Sequence, residues 1–328
     1  MLQMRLLALL LLPLAACASV SSSSLFGGAD PLPSWNEGDL KSAIIDFVDG
    51  ATDPESVHFV PAEERIAVFD NDGTLICEKP LYSQLAFMVD RAREYVADDP
   101  SLREQEPYRS LIDGTLGKSK DLEPFIKLAI ETHTGMLDEE FVAIAEQWLA
   151  TARHPQFERP YTELVFAPMV ELVAYLQASD FQVWICTGGG LDFVRCYAKE
   201  VYGIAPENVI GTAGQKAYRE VDGRGEFIRL RELVQPINDG PAKPVLINRY
   251  IGRTPILAVG NSDGDLEMLE YVAQRHAATL TLLLHHDDGE REFDYDTGTE
   301  RALSAAADGE IEVISISRDF ATVFAPAR

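Results

Sequence analysis

Val68-Phe69-Asp70-Asn71-Asp72-Gly73-Thr74-Leu75 is the stretch on which the reading of this chain turns. An apolar run, Ile66-Ala67-Val68-Phe69, leads into two carboxylates spaced two apart, and a glycine follows them. Such a run, short and bounded by a glycine, predicts a strand buried on both faces of a parallel sheet. Asp70 and Asp72 then fall just past the carboxyl edge of that sheet, where open α/β folds place their chemistry. Acids at such a place are costly unless they bind a metal or react. The plainer alternative is an Asx-type turn that closes a strand.

Outward from this strand, the pattern predicts an α/β fold with a doubly wound parallel sheet. Strands are expected at 65–70, 181–187, 255–260, 280–284 and 311–316, with helices at 38–48, 162–178, 191–202, 242–250, 265–273 and 299–307. Gly188-Gly189-Gly190 should break the second strand. A hairpin turning at Asp222-Gly223 is expected within 209–231. From 80 to 155 the pattern changes. Leu81, Leu85, Phe87, Met88, Val89 and Tyr95 recur at helical steps, as do Phe125, Leu128 and Ala129, and then Phe141, Ile144, Ala145 and Trp148. This stretch reads as an all-helical cap inserted after the first strand, with 36–79 and 156–328 forming the core. The aromatic positions Tyr82, Phe87, Tyr95 and Trp148 sit at core spacing rather than as a cage for a quaternary amine.

The 328 residues are 46% apolar, enough for one large or two modest domains. A net charge of −25 leaves no basic excess to displace counterions, which argues against nucleic acid as a partner. The N-terminus has the proportions of a signal peptide: Arg5, a Leu-rich stretch over 6–14, then Ala15-Ala16-Cys17. Leu14-Ala15-Ala16-Cys17 resembles the lipobox of bacterial lipoproteins, which implies a signal peptide over 1–16, lipidation of Cys17 and a flexible tether over 17–35. Ordinary cleavage after Ala16 or Ala18 is the alternative. The expected location is the bacterial envelope, on the periplasmic or outer face, with a lipid as the sole link to the membrane. Cys77, Cys186 and Cys196 match no zinc pattern. They permit one disulfide in an oxidising compartment, although small buried apolar residues are the simpler reading.

Four segments occur in a telling order: Phe69-Asp70-Asn71-Asp72-Gly73-Thr74-Leu75, Trp184-Ile185-Cys186-Thr187-Gly188-Gly189-Gly190, Ala242-Lys243-Pro244, and Val259-Gly260-Asn261-Ser262-Asp263-Gly264-Asp265-Leu266. Together they resemble the haloacid dehalogenase superfamily, and within it the phosphoserine-phosphatase-like phosphohydrolases with a helical cap. The resemblance covers about 60–320.

That resemblance implies a Mg²⁺-dependent hydrolase of small phosphate esters that works through an aspartyl-phosphate. Asp70 would be the nucleophile and Asp72 the acid and base. The family's dehalogenases lack the second acid, so its presence favours phosphate esters. Thr187 and the N–H groups of Gly188 and Gly189 would hold phosphoryl oxygens. Lys243 would draw charge from the transition state, and Lys216 is its less well placed competitor. Mg²⁺ would take the Asp70 carboxylate and the Asp72 backbone carbonyl. The fourth segment departs from the usual pattern, since Asn261 stands where an Asp is expected. Either Asn261 ligates directly while Asp265 orients Lys243 and a metal-bound water, or Asp263 takes over as ligand.

Glu78 and Lys79, at the entry to the insert, are candidate substrate contacts. His285-His286-Asp287-Asp288 follows a strand at the same sheet edge, but adjacent side chains in an extended segment point opposite ways. A supporting role fits them better than a metal cluster. The run over 291–296 reads as packing. Beside the hydrolase stand two alternatives: a phosphotransferase or phosphonate-cleaving relative, and an envelope lipoprotein that uses a catalytically weakened fold for binding.

Overall fold

The structure is a computed structural model that describes residues 29–113, 123–275, 278–307 and 309–326. Elements follow in chain order. They are α1 (Asp39–Thr52), β1 (Ile66–Phe69), α2 (Ser83–Asp98), α3 (Tyr108–Ile112), α4 (Glu123–His133), α5 (Asp138–Thr151) and α6 (Ala167–Ala178). Next come β2 (Gln182–Gly190), α7 (Leu191–Arg195), α8 (Ala198–Tyr202), β3 (Val209–Thr212), β4 (Gly214–Val221) and β5 (Arg224–Leu233). The chain continues with α9 (Ala242–Ile251), β6 (Leu257–Gly260), α10 (Leu266–Ala273), β7 (Leu280–His285), α11 (Glu300–Ala306), β8 (Glu312–Ser315) and α12 (Ile316–Asp319).

Six strands form one parallel sheet in the order β3-β2-β1-β6-β7-β8. The chain moves outward from β1 to β3 on one side, then returns to β6 and moves outward on the other. The switch point of this doubly wound sheet therefore lies beside β1, where such folds open a crevice. β1 and β6 are buried along their whole length, as continuous apolar runs covered on both faces must be.

Register explains why distant segments meet. Phe69 stands beside Ile185 on one side and Val259 on the other. The next residues outward, Asp70, Cys186-Thr187 and Gly260-Asn261, emerge together at one edge. The Asp70 amide donates to the Val259 carbonyl at 2.9 Å, so β1 is held in place up to the first acid.

Residues 83–151 contain helices and no strand among those described. Two apolar clusters hold this insert. Leu85, Met88, Ala92, Tyr108 and Leu128 form a local one. Phe87, Phe141, Ala145 and Leu149 instead join the large core that also contains Phe69, Ile185 and Val259. Phe87 stacks on Phe193 from α7 with ring centroids 5.3 Å apart. The insert therefore shares a core with the sheet: Phe87 is buried in it, Trp148 packs against it, Tyr95 packs against the local cluster, and Tyr82 both packs there and lines the cavity over Asp70.

Four expectations need correction. First, β2 runs through the three glycines to Gly190, with an irregular register against β3 between Cys186 and Gly190. Gly190 carries no Cβ because the Gln84 amide occupies that space, 2.4 Å from where a Cβ would sit. Second, residues 209–212 are not part of the hairpin. They form β3 of the main sheet, and only β4 and β5 pair antiparallel, turning at Asp222-Gly223. Third, the tether ends before 35. Leu32 and Trp35 are core residues, and the Trp35 indole donates to the Pro168 carbonyl at 2.9 Å. Residues 1–28, with Cys17 and the proposed signal peptide, lie outside the described residues. Fourth, 191–202 is two short helices rather than one. They separate at Tyr197, whose phenol oxygen accepts from the Asn71 amide at 3.0 Å. All three described cysteines are free thiols, with Cys77 and Cys186 buried.

Candidate active site

The Asp70 loop is built around a left-handed turn. Gly73 has φ +82°, and the Asn71 carbonyl accepts from the amides of Thr74, Leu75 and Ile76. A Cβ on Gly73 would lie 2.1 Å from Nδ2 of Asn261. Gly73→Ala is therefore expected to lose about 1–2 kcal/mol from the backbone alone, and more from displacing Asn261. Urea unfolding of G73A would check this, and an unchanged midpoint would contradict it.

At the sheet edge three buried charged groups meet. Lys243, in the first turn of α9, places Nζ 2.7 Å from Oδ1 of Asp70 and 2.5 Å from Oδ1 of Asp265, and it also donates to the Cys186 carbonyl at 3.0 Å. Burial works against the Lys243 ammonium. Asp265 and Asp70 together outweigh it and hold the group charged well above the ordinary lysine value. For Asp70, burial is the largest influence and the Asp265 charge the next, and they raise its carboxyl well above the usual range against the pull of Lys243. Oδ2 of Asp265 accepts from the Asn261 and Ser262 amides, both at 3.0 Å, and from the Ser262 hydroxyl at 3.1 Å. Asp265 thus ties the fourth segment to Lys243, and both of its oxygens are engaged.

Asp263 points elsewhere. Its Oδ1 accepts from the amides of Arg301 and Ala302, capping α11. The start of a neighbouring helix thus engages one oxygen of the Asp263 carboxylate, away from Asp70 and Lys243. Asp265 is engaged on both oxygens, by Lys243 and by the loop. Asn261 lies closer to the Asp70 loop. The Thr74 hydroxyl lies 3.5 Å from Oδ2 of Asp70 and 3.2 Å from Oδ1 of Asn261, so these two hard oxygens face one place. A donor set of this kind suits Mg²⁺ completed by waters. Among the described residues, no three His, Cys, Asp or Glu side chains converge as a metal site.

Asp72 differs from Asp70. Its Oδ1 is buried without a hydrogen-bond partner. Burial pushes its carboxyl up to about 6, opposed by the hydrogen bond with Asn71 and reinforced by the Glu78 charge. A carboxyl so placed holds or releases a proton near neutrality.

Thr187 is buried within β2, just before its three glycines, and its Oγ1 accepts from the Gly189 amide at 2.9 Å. That N–H, expected to face a phosphoryl oxygen, is folded back onto the threonine here. Gly188 is exposed, and its carbonyl accepts from the Thr212 hydroxyl at 2.8 Å. Lys216 is held away from this place by Asp138 at 2.7 Å and Asp192 at 2.9 Å. Oε1 of Glu78 accepts from the Tyr295 hydroxyl at 2.7 Å and also meets Lys79 at 3.3 Å.

His286 fills the supporting role. It is fully buried, contacts the Gly73 carbonyl through Nε2 at 2.8 Å and meets Glu292 through Nδ1 at 3.1 Å. His285 turns the other way, to Asp296 at 2.7 Å. The run over 291–296 thus supplies both the partner of His286 and, in Tyr295, the partner of Glu78.

Asp70, Asp72, Glu78, Thr187, Gly188, Gly189, Lys243 and Ser262 line one cavity of about 340 Å³, roofed by α2, α4 and β5. Three contributors carry no sequence signal. Gln84, from the first turn of α2, accepts from the Gly190 amide at 2.6 Å. Asn238 donates to the Thr187 carbonyl at 2.9 Å. His133 stacks on Phe87 with centroids 5.4 Å apart, and its Nε2 has no partner.

Burial is the main force holding His133 neutral, moving it down to about 3 from its ordinary value of 6.5. Between those pH values the unfolded chain takes a proton that the folded chain refuses. Stability is full above pH 6.5 and falls as pH drops toward 3, by about 1.4 kcal/mol per pH unit. Near pH 5 the loss is roughly 2 kcal/mol. His133→Phe should lack this loss when unfolding free energies at neutral pH and at about pH 5 are compared. Equal pH dependence in both proteins would refute the assignment.

No curated protein sequence matches the chain. Among solved structures, a conserved functionally unknown protein from Anaerococcus prevotii DSM 20548 aligns with TM-score 0.56 at 16% identity, over 84% of this chain and 91% of its own. A protein with unknown function from Bordetella pertussis Tohama I aligns with TM-score 0.51 at 18% identity, over 76% and 98%. These likenesses show the fold. The family model that matches is haloacid dehalogenase-like hydrolase, over residues 67–270. That span holds Asp70, Asp72, Thr187, Lys243, Asn261 and Asp265 and is more than half of the 328 residues, so the chain belongs to the haloacid dehalogenase-like hydrolase family.

Proposed function

We propose that the chain is a phosphomonoester hydrolase in which Asp70 is the nucleophile. One juxtaposition supports this above all. Asp70 is paired with the Lys243 ammonium, and it shares a cavity with a second carboxyl, Asp72, whose buried oxygen has no partner. An Asp70 oxygen attacks phosphorus, and the bond from phosphorus to the alcohol oxygen breaks. Asp72 gives its proton to the departing oxygen. Asp72 then takes a proton from water, the water oxygen attacks phosphorus, and the bond to Asp70 breaks. Lys243 stabilises charge on the phosphoryl group throughout, from a place where water is excluded. Thr187 and the Gly188-Gly189 amides hold phosphoryl oxygens once Gly189 releases the threonine.

Asp70, the Asp72 carbonyl and Asn261 would hold Mg²⁺, which screens the negative charge of nucleophile and phosphate when bound. Helices α2 and α4 of the insert line the cavity, which supports a role for the insert as its cap. We further propose anchoring by a lipid on Cys17 and action outside the cytoplasm. Cys17→Ala should release the protein from the membrane fraction, and an unaltered distribution would refute the anchor.

The test of the activity is hydrolysis of 4-nitrophenyl phosphate by the purified full chain, with and without Mg²⁺. Turnover that needs the ion supports the reading. No turnover with any divalent ion, in a protein shown to be folded, refutes it.

A further inference from the structure

The cavity over Asp70 has two unlike ends. Four of its acids, Asp70, Asp72, Glu78 and Asp239, belong to loops at the sheet edge, with Lys243 beside Asp70 in the first turn of α9; the fifth, Asp192, comes from α7. The opposite wall is apolar and comes from α2, α4 and the β5 segment: Met88, Ile126, Ile130, Leu230, Leu233 and, beyond the strand, Ile237.

The one charged base on that wall, Arg229, is already neutralised. Arg229 donates through Nη1 to Asp138 at 2.7 Å and to Asp192 at 2.6 Å, and its guanidinium lies over the Phe141 ring at 4.0 Å. Asp138 and Asp192 also hold Lys216, so two acids balance two bases. His133 packs between Phe87 and Phe141, in surroundings that disfavour an imidazolium. An anion carried there would meet a charge-balanced group and lose its hydration. An ammonium would leave the sheet-edge acids behind.

From this wall we infer the substrate class, an inference that rests on the phosphatase reading: a phosphate monoester whose alcohol half is an uncharged, apolar chain or ring. The phosphate sits against Asp70 and Lys243, and the alcohol half lies along Ile126, Ile130, Leu230 and Leu233. A cavity of about 340 Å³ falls in the range of small-molecule sites. Esters that bear a carboxylate, a second phosphate or an ammonium are poor substrates.

Phosphonates test this without turnover, because their carbon–phosphorus bond does not hydrolyse here. The full chain is titrated by calorimetry, with Mg²⁺ present, against methyl-, butyl- and hexylphosphonate, 3-phosphonopropionate and 2-aminoethylphosphonate. Affinity is expected to rise about fourfold per methylene along the alkyl series. The carboxylate and ammonium compounds should bind no tighter than methylphosphonate. Ile130→Asp and Leu233→Asp should each flatten the alkyl slope, and the wild-type slope stands as evidence even if one variant fails to fold. A flat alkyl series, or tightest binding by either charged compound, overturns the inference. A rising alkyl series in a protein that hydrolyses no phosphate ester would refute the phosphatase reading and leave the apolar pocket standing.

Discussion

Asp70→Asn is expected to abolish the proposed phosphate-ester hydrolysis, with a fall in kcat of ~10⁴-fold or more. An amide is no nucleophile toward phosphorus, and no other described carboxylate is paired to Lys243 from the sheet edge except Asp265, whose oxygens are already engaged. The substitution should leave the fold intact. Asn matches Asp in size, and its carbonyl oxygen still accepts from Lys243. Burial already raises the Asp70 carboxyl well above its ordinary range, so an uncharged replacement relieves a cost rather than adding one. Unfolding free energy is expected to stay within about 1 kcal/mol of the wild type or to rise. The measurements are steady-state turnover and urea unfolding on the same preparation. Retention of more than about a tenth of the activity would remove Asp70 from the nucleophile's place.

Lys243→Met should have the opposite profile, losing stability as well as activity. The ammonium contacts Asp70 and Asp265 at once, and all three side chains are buried. Taking away the positive partner leaves two carboxylates facing one apolar side chain. Breaking a buried pair in this way costs about 3–5 kcal/mol, a large share of the 5–15 kcal/mol that typically separates folded from unfolded chains. The double substitution Lys243→Met with Asp265→Asn should recover part of that loss, because one uncompensated charge is removed. Recovery of stability without recovery of activity would separate the two roles of Lys243: pairing Asp265 in the fold, and meeting phosphate beside Asp70. A loss under about 1 kcal/mol in the single variant would show that the pairing contributes little.

The parts of this structure that were legible in the sequence are those that short-range chemistry determines. Apolar runs such as Ile66-Ala67-Val68-Phe69 and Leu280-Thr281-Leu282-Leu283-Leu284, too short for an ordinary helix, read as strands covered on both faces, and they are. Asp70 is bound to emerge at the sheet edge once β1 is placed. Lys243 meets it because α9 packs against β2 and β3. What stayed hidden depends on partners far along the chain. The glycines over 188–190 look like a strand break until Gln84 is seen filling the space that a side chain would need. Val209-Ile210 is too short to distinguish a central strand from a hairpin arm before β2 is there to pair with it. Asp263 and Asp265 are indistinguishable acids in sequence, and only the position of α11 commits the first to capping. His133 ends a helix like many solvated histidines, and its neutral state follows from the rings packed around it.

The most direct test of the nucleophile is chemical trapping. The full chain with Mg²⁺ is mixed with excess substrate, quenched in acid during turnover, digested and sequenced by mass spectrometry. A phosphoryl group on the Asp70 side chain, gained with substrate and missing from Asp70→Asn, is the predicted result. Active turnover with the phosphoryl group on any other residue, or undiminished trapping in Asp70→Asn, would contradict the mechanism.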